Sequence, residues 1–286
     1  TLEDHLVARF FTNSNAADNT VVGQPDLTAT DIQMVNDPSY GWYAKFNGTS
    51  SYAEIDFDSL FLKTNGLNYN DGFTITFNAL NTARTGFNNN EVNDRIFEIA
   101  DTHASRTGKE HYTHFSPGGG GSGSYLGNYN GPVDGSTYDW LNDKDFSNRY
   151  DGNFHEYIIS YANGNAMVYV DGELVISRNR FYKLGINGVA PAYGGATLDA
   201  SWFNALGSNS TMLIGKSNWP GDPLYLGTIQ DLCIYDCSMS YYDAKSLSEK
   251  VNVNNGWSEP ENYNGVNCDI PTFANASESQ MSTQNT

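Results

Sequence analysis

The segment from Glu156 to Ile176 limits the fold more than any other part of the chain. It reads Glu156-Tyr157-Ile158-Ile159-Ser160-Tyr161, Ala162-Asn163-Gly164-Asn165, Ala166-Met167-Val168-Tyr169-Val170, Asp171-Gly172 and Glu173-Leu174-Val175-Ile176. β-Branched and aromatic residues suit a pleated surface, and Asn-Gly and Asp-Gly supply the positive φ of tight hairpin turns. The run predicts three consecutive antiparallel strands. The same signals predict further strands at Leu6–Phe11, Ala44–Phe46, Tyr52–Ile55, Phe73–Leu80, Arg95–Ala100, Met212–Ile214 and Gly227–Tyr235. Helical periodicity is confined to Ser240–Lys250. With only 17% charged residues, 28 glycines and Asn-rich runs, the composition suits strands joined by many turns and rules out a long-helix or coiled-coil protein.

At 286 residues the chain has room for one large domain or two small ones. Fifteen Lys and Arg against 33 Asp and Glu leave a net charge of −18. That excess repels phosphate backbones and anionic headgroups, so neither nucleic acid nor an acidic membrane surface is an expected partner. No apolar run approaches the ~20 residues that cross a bilayer, so no membrane insertion is expected. Thr1 follows no basic and apolar leader, which reads as a mature or excised piece. Three cysteines, Cys233, Cys237 and Cys268, are too few for a disulfide scaffold and lack the paired spacing of a zinc site. If the strand stays extended, Cys233 and Cys237 lie beyond the ~7 Å reach of a bridge, leaving Cys268 to pair with one of them.

Two stretches read as excursions from the strand framework: Arg84–Asn93 with Thr102–Tyr150, and Ser177–Ser210, all rich in Gly, Asn, Ser and aromatics. Within the first, Ser116–Ser124 is flexible by composition. It lacks the Lys-Ser/Thr ending and the strand-loop-helix frame of a phosphate loop. From Phe273 to Thr286 the chain is a polar linker, so the expected division is a domain over 1–272 and a tail over 273–286.

The landmarks have a family order. Leu6-Val7-Ala8-Arg9-Phe10, the hairpin Tyr43–Ile55 around Asn47-Gly48, Phe73–Phe77, Phe154–Tyr161 with Val170-Asp171-Gly172, Leu213-Ile214-Gly215, and Tyr225–Tyr235 followed by Leu247 together resemble the laminin G-like, concanavalin A-like jelly roll superfamily. The match is to the bacterial accessory-module type. The resemblance covers Leu6 to about Leu247 and implies an all-β, two-sheet antiparallel jelly roll sandwich with long loop excursions, in a secreted or surface-attached protein. Phe154 stands where the family usually has Trp, and Gln230 where it usually has an acid.

Enzymes share this architecture, so the fold alone does not decide between catalysis and binding. Some retaining glycosidases of the fold carry Glu-x-Asp-x-x-Glu on one strand; Glu54 and Asp56 fill the first two places, and Ser59 stands at the third. The Arg-x-Glu-x-Arg and Gln-x-His strands of alginate-lyase relatives are missing. His155 reads as a structural histidine inside the hairpin motif. His103, His111 and His114 with Asp101 and Glu110 read as a solvated loop without compact metal spacing. No catalytic residues are expected. The resemblance does imply a structural calcium, with Gly48 of the turn and Gln230 and Asp231 of the last long strand as its ligands.

Aromatic residues outside the framework carry the binding expectation. Tyr138-Asp139-Trp140, Tyr193, Trp202 and Trp219 supply flat faces for sugar C–H groups, with Asp139 and Arg106 as hydroxyl partners. The sequence is thus read as a non-catalytic extracellular module binding a glycan or polysaccharide. The alternatives are an adhesin domain for a host or cell-surface protein and a divergent glycosidase or lyase.

Overall fold

The computed structural model describes residues 2–64, 66–84, 94–101, 111–118, 124–130, 139–145, 149–162, 165–178, 198–219, 221–239, 243, 244 and 247; side chains at 124, 125, 129, 130, 139–145, 165, 174 and 176–178 are outside the description. Its strands are β1 (Leu6–Phe10), β2 (Thr28–Thr30), β3 (Gln33–Asp37), β4 (Gly41–Asn47), β5 (Tyr52–Asp56), β6 (Phe73–Asn81), β7 (Phe97–Asp101) and β8 (His111–Ser116). There follow β9 (Ser124–Asn130), β10 (Asp139–Asp145), β11 (His155–Ala162), β12 (Asn165–Val170), β13 (Glu173–Arg178), helix α1 (Ala200–Leu206), β14 (Ser210–Ile214) and β15 (Leu226–Tyr235).

These strands form two antiparallel sheets packed as a sandwich. One runs β13-β12-β11-β6-β15-β4-β3, with β1 also on β15; the other runs β10-β9-β8-β7-β14-β5-β2. The predicted meander is the β11-β12-β13 end of the first sheet. Alternation buries Phe73, Ile75 and Phe77 of β6 and Tyr157, Ile159 and Tyr161 of β11 against Phe97, Ile99, Phe115, Met212 and Ile214 of the second sheet. A second apolar layer explains why β11 is buried on both faces. Ile158, Met167, Tyr169 and Cys233 are covered by Leu2 and by Cys237, Met239 and Ala244 from the chain after β15.

Strand β15 serves two neighbours on one edge. Its first half pairs with β4, Leu226 to Ile229 opposite Asn47 to Ala44, and its second half pairs with β1, Leu232 opposite Phe10 and Tyr235 opposite Leu6. Between the halves the register on β6 shifts, and Asp231 takes a φ of +49°. An aspartate tolerates that left-handed turn. Arg9 pins it, Nε and Nη2 reaching the two carboxylate oxygens at 2.7 and 3.0 Å.

The structure departs from the sequence reading in two places. The first excursion is partly sheet: β8, β9 and β10 continue the second sheet as a meander. His111 and His114 therefore sit on a strand, and His114 is fully buried rather than solvated. The end of the second excursion holds α1. Asp199 caps it, accepting from the backbone N–H of Ser201 and Trp202 at 3.0 and 3.1 Å, and Trp202, Phe203 and Leu206 form its buried stripe. Cys237 is disulfide-bonded and Cys233 is a buried free thiol, so the two are not bonded to each other. Cys268, the tail over 273–286 and most of Ser240–Lys250 lie outside the described residues.

Candidate ligand-binding face

The face of the second sheet turned away from the core carries an uncommon charge arrangement. Phe97 and Ile99 of β7 point inward, so Glu98 between them points outward. It lies in one cross-strand row with Glu54, Leu213, His114 and Gly127. The chain leaving β14 folds back across this face. Gly215 starts the crossing at φ +77°, where a Cβ would come within 2.5 Å of the Phe46 ring, and only glycine fits.

Glu98 fastens that crossing. Its Oε2 accepts from Ser217 Oγ at 3.1 Å, and its Oε1 accepts from the backbone N–H and Nδ2 of Asn218 at 3.2 and 2.7 Å. The Ser217 hydroxyl in turn accepts from the Trp219 N–H at 2.9 Å. Arg95 lies alongside, with Nη2 3.2 Å from Asp222, Nη1 donating to Ser116 Oγ at 2.9 Å and Nε 3.9 Å from Glu98. The Glu98 side chain is 0% exposed and that of Arg95 5%, so this polar layer lies beneath the loop and sets the loop's shape.

On that layer sit aromatic rings. Trp219 is half-buried, and its ring centroid is 6.4 Å from that of Tyr112. Tyr112 stacks on His114 at 5.2 Å and 14°. The His114 ring lies against the Gly127 backbone, where an added Cβ would be 2.2 Å away. Burial and the neighbouring Arg95 charge push the His114 pKa well below the usual histidine value, so it is neutral. Tyr112 stands opposite Tyr129, and Tyr129 opposite Trp140, so Trp140 falls in the same cross-strand row.

Of the residues expected to bind sugar, Trp219 stands beside Tyr112, and the register places position 140 in the cross-strand row of Tyr112 and Tyr129. Asp139 opens β10 opposite Asn130, and Tyr138, Tyr193 and Arg106 lie outside the described residues. Trp202 requires correction. Its ring is fully buried against Phe73, Tyr161 and Phe203, so it presents no face to a ligand. Reading the sequence for loop aromatics missed Arg95, Glu98, Tyr112 and Asp222. The available signal was Arg95-Ile96-Phe97-Glu98-Ile99-Ala100, two opposite charges inside an otherwise apolar strand.

The three expected calcium ligands do not converge, which corrects that set. Gly48 lies beside Leu226, and Gln230, four residues further along β15, is about 13 Å away at ordinary strand rise. Gln230 donates its amide to the Tyr40 carbonyl, and Asp231 is clasped by Arg9. The residues present therefore do not fit the ion. His5, Asp236 and Cys237 also cluster, but the Cys237 sulfur is committed to its disulfide. Glu54 and Asp56 are exposed along β5. His111 lies 3.5 Å from Asp101, while His103 and Glu110 lie outside the described residues.

His155 ties two turns together, its Nδ1 2.7 Å from Asp171 Oδ2 and its Nε2 3.1 Å from Asp151 Oδ1. The hydrogen bond to Asp171, with that to Asp151, raises its pKa. Asp94, buried beside Arg84 and Tyr150, is pushed up to about 7 by burial. Both shifts act in one direction. Stability contributed by protonated His155 is complete below its unfolded value near ~6.5 and is lost as pH rises through the higher folded value. Asp94 binds its proton more tightly folded than unfolded, so stability falls as pH climbs from about 4 to about 7. The depressed His114 pKa works the other way below about 6.5, so melting temperature is expected to fall from about pH 6.5 to pH 8, with His155→Gln flattening that fall and Asp94→Asn reducing the loss up to about pH 7. Variant and wild-type profiles that run parallel would refute the assignment.

No protein-family model matches the chain, and no curated protein matches it. Solved structures share its fold. Domain 4 of AbnA, an extracellular arabinanase from Geobacillus stearothermophilus in complex with arabinotriose, matches with a TM-score of 0.58 at 17% identity, over 85% of this chain and 98% of that one. The binding domain of botulinum neurotoxin serotype D/C gives 0.55 at 12% identity, over 88% of this chain and 53% of that one. The binding domain of botulinum neurotoxin DC in complex with rat synaptotagmin II gives 0.53 at 12% identity, so this chain spans about half the length of the neurotoxin domains. The arabinanase domain is in complex with arabinotriose, the neurotoxin neighbours are binding domains, and all share the two-sheet fold described above.

Proposed function

We propose that this protein is a non-catalytic extracellular binding module of the laminin G-like type whose ligand is an uncharged glycan. The observation that carries the reading is Trp219, half-exposed beside Tyr112 on a loop that the buried Glu98 carboxylate holds in place. Rigidly held rings stack on sugar C–H faces, and the neighbouring Asn218 and Asp222 offer the hydrogen bonds that orient hydroxyls. Arg95 is engaged by Asp222 and Ser116, and the exposed Glu54 is among the acids that leave the chain at −18, so a uronate-rich polymer would be repelled. The arabinotriose-bound neighbour supports an oligosaccharide ligand, and the synaptotagmin-bound neighbour supports a protein partner as the competing outcome.

The test is a glycan array followed by titration of the best neutral hit. Trp219→Ala and Trp140→Ala should each weaken binding about fivefold or more, since a stacked ring contributes ~1 kcal/mol, while melting temperature changes little. Unchanged affinity in both variants would place the ligand elsewhere, and array silence with capture by a purified cell-surface protein would favour the adhesin reading.

A further inference from the structure

The position that the family resemblance gives to calcium lies between the Asn47-Gly48 turn and the last long strand, whose first residue, Leu226, stands opposite Asn47. Three observations describe what stands there. Asn47 Oδ1 already accepts from the backbone N–H groups of Thr49, Ser50 and Ser51 at 2.9, 2.8 and 3.1 Å and from Thr49 Oγ1 at 3.0 Å, which exhausts its lone pairs. Gly48, at φ +72°, is packed against a guanidinium: an added Cβ would lie 3.0 Å from Arg84 Nη2 and 3.3 Å from Nη1. Arg84 donates to the Leu224 carbonyl, just before β15, and its Nε is 4.0 Å from Asp94 Oδ2. The two side chains are 14% and 1% exposed.

A carbonyl and a carboxylate are the oxygen donors a calcium ion would seek, and here they face a guanidinium. We infer that the Arg84 guanidinium is the resident cation of this turn-to-strand junction and takes the place of a structural calcium ion. The fixed positive charge links the hairpin turn, the entry to β15 and Asp94 without any ion, and it repels a divalent cation brought to the same oxygens. Tyr150, whose hydroxyl donates to Asp94 Oδ1 at 3.4 Å, closes the other side of the carboxylate.

Thermal melts of the wild-type protein in millimolar calcium and in a chelator test the first half. The two curves should coincide, because an ion that does not bind the folded state cannot stabilise it by mass action. Arg84→Ala and Arg84→Lys test the second half: alanine should lower the melting temperature by roughly 5 °C or more, with lysine, which keeps the charge but loses the planar fork, falling between. A wild-type melting temperature that rises in calcium and drops in chelator would overturn the inference, and so would an Arg84→Ala protein that melts like wild type. Should the alanine variant fail to fold, the lysine variant and the wild-type calcium comparison still decide.

Discussion

Trp202→Ala is expected to cost about 3–5 kcal/mol of stability, the range for deleting a buried aromatic side chain, and to lower the melting temperature by roughly 10 °C. The ring is 0% exposed and lies nearly parallel to Phe73 at 6.4 Å and 17°, with Phe203 edge-on at 5.0 Å and 78°. Its loss would leave a cavity where α1 meets the first sheet, and Phe203 and Leu206, the rest of the buried stripe of so short a helix, would hold it poorly. Differential scanning calorimetry beside glycan titration separates the two roles a tryptophan can have here. A Trp202→Ala protein that melts normally yet loses its ligand would return this ring to the binding face; a lower melting temperature with affinity retained assigns it to the core.

Glu98→Ala should have a comparable effect by another route, about 3 kcal/mol, because removing one member of a buried charged cluster strands its partners. The donors of Ser217 and Asn218 would lose their acceptor, and Arg95 would lose one of its two carboxylate neighbours named above. Since these contacts hold the loop that carries Trp219, urea midpoint and indole emission should move together. Glu98→Gln, which retains the shape and an acceptor oxygen, should fall between alanine and wild type. A normal urea midpoint in the alanine variant would mean that the buried carboxylate does not fasten the loop.

The strands with clean patterns were legible from the sequence. β6, β11 and β12 combine β-branched and aromatic runs with turn residues that admit positive φ, and no tertiary information is needed to place them. β8 and β9 were hidden because their outward faces carry His114 and Gly127, a pair that makes sense only when the flat ring covers the glycine across the ladder. α1 was hidden for a related reason: seven residues are too few for periodicity to speak, and its cap at Asp199 looks like any polar loop residue. At the ligand face the sequence offered exposed-looking tryptophans but gave no means of separating Trp202 from Trp219, since burial depends on what folds over each. The supposed calcium ligands failed through distant partners. Arg9 claims Asp231 from the opposite end of the chain, and Arg84 reaches Gly48 only after the sandwich has formed.

The sheet order also bears on how this molecule is made. β14 lies between β7 and β5, and β15 lies between β6 on one side and β4 and β1 on the other. Both central strands come late in this domain, so until residues 210–235 leave the ribosome the second sheet exists as two separate pieces and the first as three, all with open hydrogen-bonding edges. Such edges invite pairing with other chains. The two keystone strands are therefore the last of the described strands to be made, and completion of both sheets is delayed to nearly the same moment. That places the hazard of aggregation before these two strands emerge, and it makes them, more than the loops, the part of the molecule on which its yield depends.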